Sequence, residues 1–302
     1  MKTNKKLTVT VGIPAYNEEA NIGKLIESIL SQKQSNFVLK KIIIVSDQST
    51  DKTNFIVSSF KKNKVLLMRN KTRLGQALSQ NKISKKINSD ILVLLNADML
   101  IIDLNFLSKL LEPFTIFDTL GIVCPMLEPV SGHNFFERII NFSVKFKDDI
   151  FCRYRDGNNM YTCRGACRAF HRRFYQSFVW PKLTAEDTYT YLTCIQQGFL
   201  YKLCKEATIF YRSPNNFRDH LRQSKRFSSH KVDLAVYFDQ RFVQSEYKLP
   251  KDLVLYSLIK FIMLNPFLMI SYVLIVLRTK FTQYKIQGVA WEPSASTKSL
   301  DI

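Results

Sequence analysis

The chain contains no Cys-x-x-Cys pair. Its six cysteines (Cys124, Cys152, Cys163, Cys167, Cys194 and Cys204) and four histidines (His133, His171, His220 and His230) complete no zinc-ligand spacing. In a chain of 302 residues these thiols read as reduced core or surface groups rather than staples, which fits the cytosol. No apolar signal segment opens the sequence. Residues 1–6 are polar and lead directly into a strand, so the main domain is expected to stay cytosolic. There is no internal repeat and no low-complexity linker. No run of basic residues interleaved with aromatics forms a nucleic-acid module, so no nucleic-acid partner is expected. Acidic residues are scarce: 25 Asp and Glu stand against 44 Lys and Arg, a formal net charge of +19. That balance points to phosphates or an acidic bilayer surface, although a lysine-rich solvated surface produces it too.

The apolar residues, 46% of the chain, are ample for a core. Runs at Leu7–Pro14, Ile42–Val45, Val65–Met68, Ile91–Leu95 and Ile122–Met126 read as strands. Helical patterns alternate with them: Ile22, Leu25, Ile26, Ile29 and Leu30 fall on one face, a second pattern covers Leu74–Ile87, and a short helix follows Asp103. Asn17 is expected to cap the first helix, with Glu18 and Glu19 at its positive end. Ile91–Leu95 is apolar throughout, as in a strand covered on both faces. The alternation predicts an α/β fold with a mostly parallel, Rossmann-like sheet. Beyond residue 130 the pattern loosens. A strand is expected within Tyr161–Phe170, a helix over Glu186–Gln197 stopped by Gly198, two short strands at Phe199–Cys204 and Ala207–Tyr211, and a basic helical region from Pro214.

Leu253–Leu277 is the most apolar segment, with one charge (Lys260) and one breaker (Pro266). About 20 helical residues cross a bilayer, so it is long enough to span. Lys248 and Lys251 flank one side, and Arg278, Lys280 and Lys285 the other, which defines no orientation. Three arrangements are open: a kinked single span, a re-entrant or in-plane helix pair hinged at Pro266, and an ordinary buried helix. The helix pair leads, because it leaves the polar tail on the cytosolic side. The chain therefore divides into a catalytic region (1–213), basic amphipathic interface helices (214–251), a hydrophobic membrane-associated segment (252–277) and a basic polar tail (278–302). An anionic membrane surface is an expected partner, with the catalytic region on the cytoplasmic side.

Polar motifs stand where the apolar strands end, which is where an open α/β sheet binds nucleotides. Pro14-Ala15-Tyr16-Asn17-Glu18-Glu19 closes the first strand. Pro14 fixes the turn, Tyr16 offers a flat face to a base, and Glu18 accepts from a base or ribose; a capped helix start reads the same way. Asp47 closes the second strand and suits the N–H edge of uracil or a ribose hydroxyl, or else an Asx turn. In the Arg69–Gly75 loop, Arg73 suits a phosphate and Gly75 a close backbone approach, although a plain basic loop reads the same way. Asn96 and Asp98 end the fourth strand on one side of it. Asp98 is a hard oxygen ligand for Mg²⁺ or Mn²⁺, an ion that stabilises the charge on a departing diphosphate.

Glu186 and Asp187 begin a helix, about 100° apart, so they form no dyad. Asp187 is read as a general base and Glu186 as its support, against the bland alternative of two acids at a helix N-terminus. Cys163-Arg164-Gly165-Ala166 precedes the strand end at Phe170; its small residues would let an acceptor approach the backbone, and a packing role alone is the other reading. Gln223 and Arg226 share a helical face. There Arg226 suits a leaving diphosphate and Phe227 an acceptor sugar; one turn of a lipid-surface helix is the other reading.

Taken in this order, the motifs resemble the inverting glycosyltransferases of family 2, which have the GT-A fold. The resemblance covers roughly Leu7 to Arg226. Pro14–Glu19 and Asp47 resemble the family's nucleotide loops, Asp98 the second acid of its DxD metal motif, and Asp187 the Asp of its Glu-Asp motif. Gln223 to Phe227 resembles a Gln-x-x-Arg-Trp motif. Ser46 and Asn96 stand where acids are common, and Phe227 replaces Trp. The resemblance implies a nucleotide-diphosphate sugar donor, UDP first among nucleotides, a divalent cation, and inversion by one in-line displacement.

A base at Asp187 favours a hydroxyl acceptor on a lipid-linked or surface glycan. A polyprenyl-phosphate sugar synthase, whose acceptor is already ionised, is the alternative. A catalytically inactive nucleotide-sugar-binding or scaffold protein is a further one. One apolar stretch predicts one or few additions rather than polymer extrusion. A sugar nucleotidyltransferase is set aside, because Gly12 stands alone in its N-terminal loop.

Overall fold

The computed structural model describes the backbone of residues 6–60, 64–282, 295–297 and 300; the side chains of residues 226–233 and 295 lie outside the description. The first four apolar runs form parallel strands β1 (Leu7–Ala15), β2 (Phe37–Ser46), β3 (Val65–Arg69) and β4 (Ile91–Leu95) in the order β3-β2-β1-β4. Parallel neighbours need crossovers. These are α1 (Ile22–Leu30), α2 (Thr53–Ser59) and α3 (Gln76–Ser84). Side chains alternate across the sheet. Ile91, Val93 and Leu95 join a core under α1 and α2, while Leu92 and Leu94 join a second core on the opposite face.

After α4 (Phe106–Leu111) and α5 (Pro113–Ile116) come β5 (Leu120–Pro129), α6 (Phe135–Arg153), β6 (Cys167–His171), α7 (Arg172–Tyr175), α8 (Glu186–Gln196) and β7 (Leu200–Tyr211). They complete a seven-stranded sheet, β3-β2-β1-β4-β6-β5-β7. β6 is antiparallel to both of its neighbours, so the sheet is mixed. The pairing of Leu95 with Cys167 sets the last residue of β4 beside the first of β6. The segments just outside those two strand ends are thereby brought together.

Several local expectations are corrected. Asn17 does not cap α1: it lies well upstream with φ 52°, and the residue at the cap is Asn21. Pro14 lies inside β1 opposite Val45 rather than in the turn; pairing with β4 ends at Gly12. The strand expected within Tyr161–Phe170 begins only at Cys167, since residues 159–164 close local turns. The two strands expected on either side of Lys205 and Glu206 are one. A register jump, from Pro125 opposite Cys204 to Met126 opposite Thr208, absorbs the charged residues as a bulge. The 19-residue α6 was not foreseen. Asn134 Oδ1 accepts from Glu137 N at 2.8 Å, and Glu137 Oε2 accepts from His133 N at 2.8 Å, a reciprocal cap that fixes its start.

The regular elements described after β7 are all helical: α9 (Phe217–Leu234), α10 (Gln240–Glu246), α11 (Lys251–Leu264), α12 (Pro266–Phe281) and a short turn at Ala295–Thr297. The long apolar segment is two helices broken at Asn265 and Pro266, and among the described residues no helix is long and apolar enough to cross a membrane. Both lie on α6. Phe261 of α11 packs on Phe142 and Phe146, Phe267 of α12 on Phe135, and Tyr272 on Phe146. α11 runs against the direction of α6 and α12 runs with it, so the pair forms a helical hairpin. Lys260 and Ser257 secure it by donating to Asp149, at 2.6 and 2.7 Å. It is not a buried helix either: Met263 is 81% exposed, and Leu264, Phe267, Ile270 and Leu274 are also exposed.

Candidate active site

The turn after β1 is laced to the turn after β2. Asn17 Oδ1 accepts from Thr50 N at 2.8 Å, Glu18 N donates to Thr53 Oγ1 at 2.7 Å, and Glu19 N donates to Asp51 Oδ2 at 3.0 Å. Ala15 is buried, and its carbonyl accepts from Asp47 N at 2.8 Å. Glu18 is buried with its carboxylate against Asn21, at 3.3 Å.

Asp47, also buried, anchors the loop between β3 and α3. Its Oδ1 accepts from Asn70 Nδ2 at 2.7 Å and Leu74 N at 2.8 Å; its Oδ2 accepts from Gly75 N at 2.9 Å. A carboxylate offers about four lone-pair sites, and this loop fills most of them. Arg73 Nε stands 3.6 Å from Asp47 Oδ2, and its guanidinium lies over the Tyr16 ring, 3.4 Å from the centroid. The aromatic face read as a base platform therefore carries a cation. Gly75 takes φ 84°, a conformation favouring glycine, and opens α3.

Beyond β4, Asn96 and Asp98 are both half-buried. Asn96 Oδ1 accepts from Gln76 Nε2 at 2.8 Å, and Asn96 N donates to Ala166 O at 2.8 Å. Leu100 exchanges backbone bonds of 2.9 and 3.0 Å with Phe210, tying the segment to the end of β7. On the other side of the same loop, Gly165 N donates to Asp187 Oδ2 at 3.3 Å. Adjacent residues of this loop, Ala166 and Gly165, are thus bonded to Asn96 after β4 and to Asp187 at the start of α8.

Glu186 and Asp187 have different surroundings. Glu186 is buried, with Oε1 3.6 Å from Arg168 Nη2. Arg168 is fully buried, and its Nη1 donates to Glu186 O at 3.3 Å and Thr190 Oγ1 at 3.1 Å. Asp187 is half-buried, and its Oδ1 accepts from Thr188 N at 2.7 Å. Asp187 is thus the more exposed of the two carboxylates, while Glu186 faces the buried guanidinium of Arg168. A Cβ on Gly165 would meet Glu186 Oε1 at a tight 3.0 Å and Asp187 Oδ2 at an ordinary 3.6 Å, so a side chain there would press on Glu186. Burial pushes the neighbouring Cys163 thiol well up, which leaves it no thiolate for nucleophilic work.

Among the described residues no three His, Cys, Asp or Glu side chains gather as a metal site. Asp98 supplies one carboxylate, and the amide oxygen of Asn96 is engaged by Gln76. Such a donor set fits a Mg²⁺ or Mn²⁺ held jointly with substrate phosphates, since Mg²⁺ is commonly bound by about one or two carboxylates plus phosphate oxygens. It does not fit an all-protein cage.

Arg164 pairs with Asp148 of α6, and its Nε donates to Tyr161 O at 3.3 Å. Gln223 is half-buried on α9; Arg226 and Phe227 lie outside the described side chains. Sequence reasoning missed the contribution of α10. Tyr247, just past its end, hydrogen-bonds through its side chain to Thr188 and senses the Asp187 charge; burial raises its phenol. Glu246 accepts from Arg155 Nη1 at 2.7 Å and Tyr191 Oη at 3.0 Å, which pins α10 to α8. No local signal marks Tyr247, because 60 residues separate it from Asp187.

A seven-stranded mixed sheet of this order, with polar residues gathered at its strand ends, has the GT-A architecture. Residues 10–178, more than half of the 302, match the glycosyl transferase family 2 model, and the chain belongs to that family. It is similar to an Escherichia coli protein, UDP-Glc:alpha-D-GlcNAc-diphosphoundecaprenol beta-1,3-glucosyltransferase WfgD, with 29% identity over 90 residues, 30% of this chain. An uncharacterized glycosyltransferase of Haemophilus influenzae is 32% identical over 90 residues, again 30% of this chain. The matched stretch spans about a third of the length of these relatives, 34% and 29%.

Among solved structures, a mannosyltransferase from Pyrobaculum calidifontis, in complex with GDP-Man and Mn²⁺, superposes with a TM-score of 0.59 at 17% identity, covering 93% of this chain and 77% of that one. Glucosyl-3-phosphoglycerate synthase from Mycobacterium tuberculosis, in complex with Mn²⁺, UDP and phosphoglyceric acid, has a TM-score of 0.53 at 14% identity, covering 76% and 78%. These likenesses show the fold.

Proposed function

We propose that this glycosyltransferase moves a sugar from a nucleotide-diphosphate sugar, UDP-linked first among candidates, to a hydroxyl of a lipid-linked glycan, with inversion at the anomeric carbon. The observation that carries this reading is the loop of residues 163–166, bonded both to Asn96 and to Asp187. It supports a single cleft with the leaving group on one side and the nucleophile on the other. Asp187 takes the proton of the acceptor hydroxyl. The acceptor oxygen forms a bond to the anomeric carbon as the bond from that carbon to the diphosphate breaks, and the nucleotide diphosphate leaves with the electron pair. Asp98 would hold a Mg²⁺ or Mn²⁺, whose chemistry is to neutralise charge on the leaving diphosphate. Glu186, held by Arg168, keeps the helix start in place.

The same reading assigns the protein to an anionic membrane surface, with its catalytic region on the cytoplasmic side. Support comes from the α11–α12 hairpin, whose outward residues are apolar and whose ends carry Lys248, Lys251, Arg278 and Lys280. Such a pair lies in the interface, with apolar side chains among acyl chains and basic ones at headgroup level.

Released nucleotide diphosphate, measured across a screen of nucleotide sugars with and without Mn²⁺, tests the chemistry. Asp187→Asn is expected to abolish transfer while leaving nucleotide binding within a few-fold; unchanged turnover sinks the role of Asp187. For the membrane, Leu264→Glu with Phe267→Glu is expected to release the protein from phosphatidylglycerol vesicles. Retention of that variant moves the anchor elsewhere.

A further inference from the structure

Lys147 stands on α6 between the hairpin and the acceptor loop. Its ammonium lies 5.6 Å from the centre of the Tyr272 ring on α12, and it makes no hydrogen bond or ion pair among the described residues. The side chain is half-buried. Arg164 is close enough for its charge to act on Lys147, and Asp148, the carboxylate that acts on Lys147 among the described residues, is already paired with Arg164. His220, whose ring packs edge-on against Phe136, also senses the Lys147 charge. A lysine in such surroundings is an unmet demand for an anion. Burial and then the neighbouring guanidinium hold its ammonium below the ordinary lysine range.

Its position shows which anion would fit. Arg164 adjoins Gly165, which bonds Asp187, so the cationic pair borders the acceptor side of the cleft. Tyr272 belongs to a hairpin with an exposed apolar face. Moving from Asp187 to Arg164, Lys147 and then the hairpin, the chemistry runs from a base, through cations, to an apolar surface. That order matches a molecule with a sugar hydroxyl, then phosphate, then a hydrocarbon chain.

We propose that Lys147, with Arg164, binds the phosphate or diphosphate that joins the acceptor sugar to its membrane lipid. This rests on the transfer reading above for the acceptor's place, yet its test needs neither donor nor turnover. The probe is binding to phosphatidylcholine vesicles doped with a polyisoprenyl diphosphate, compared with vesicles of equal charge made with phosphatidylglycerol. The full chain is expected to prefer the polyisoprenyl diphosphate vesicles by about tenfold, a difference of ~1.4 kcal/mol. Lys147→Gln is expected to lose that preference and Lys147→Arg to keep most of it, each checked for an unchanged melting temperature. Three outcomes overturn the proposal: equal binding to both vesicle types, a preference that survives Lys147→Gln, and displacement by inorganic pyrophosphate at the concentration of the lipid diphosphate. Failure of sugar transfer with a binding preference that persists would instead sink the catalytic reading alone.

Discussion

The backbone N–H of Gly165 donates to Asp187 Oδ2 at 3.3 Å, and the space a Cβ would occupy there lies 3.0 Å from Glu186 Oε1. Gly165→Ala would press on the carboxylate that Arg168 holds and shift the helix start bearing Asp187. The expected result is a fall in kcat of about tenfold, or ~1.4 kcal/mol of lost transition-state stabilisation, with donor KM nearly unchanged. Steady-state kinetics at saturating acceptor checks this; a change confined to donor KM contradicts it.

Asp47 holds the Arg69–Gly75 loop by accepting from two backbone N–H groups and the Asn70 amide. Asp47→Ala would leave those donors without their acceptor, at a cost of roughly 1–3 kcal/mol for a buried group. Thermal melting should show the loss, and nucleotide titration should show weaker binding, because Arg73 and Gly75 lose their anchor. A stable variant with intact nucleotide affinity would refute the anchoring role.

Arg168 and Glu186 form a buried pair. Arg168→Met would take a buried charged partner from the Glu186 carboxylate, at a cost of up to about 3–5 kcal/mol, whereas Arg168→Met with Glu186→Gln should recover much of it. Denaturant unfolding of the single and double variants gives the coupling directly. Additive effects would mean that the two side chains act separately.

His220 titrates at about 4, held below its ordinary value of 6.5 by burial and then by the Lys147 charge. The unfolded chain therefore binds a proton between those values while the folded one does not. The stabilising contribution is full above pH 6.5 and is lost as pH falls toward 4. Lys147 is the cation facing this ring, and Ser224 Oγ lies 3.3 Å from its Nε2. Replacing the ring by His220→Phe should flatten stability against pH across that window. An unchanged slope would place the acid sensitivity elsewhere.

The nucleotide half of the fold was legible because its determinants are local. Five apolar residues between turn signals, as in Ile91–Leu95, suit a strand covered on both faces, and the polar residues after it then fall at the strand's end. The second half was less so. The core-facing side chains of α6 are interspersed with Lys145, Lys147, Asp148 and Asp149, which blurs the apolar stripe. The bulge in β7 hid one strand behind two charged residues. Asn17 carried a capping residue's chemistry but a left-handed backbone, and tied two loops together instead. Arg168 and Tyr247 act on the acidic helix start through pairings set only by tertiary packing, which spacing along the chain does not encode. Glu186 and Asp187 were separable in advance only by direction around a helix; the difference in their neighbours comes from β6.

In the proposed transfer one loop bears on both partners, Gly165 bonding Asp187 and Ala166 bonding Asn96. Selection on such a hinge-free bridge cannot tune one partner of the exchange alone. A change suited to a bulkier incoming alcohol would also move the segment that steadies the departing nucleotide. Preference for one sugar and preference for one recipient should therefore drift together among descendants of this enzyme, with compensating changes appearing at neighbouring positions of the same loop.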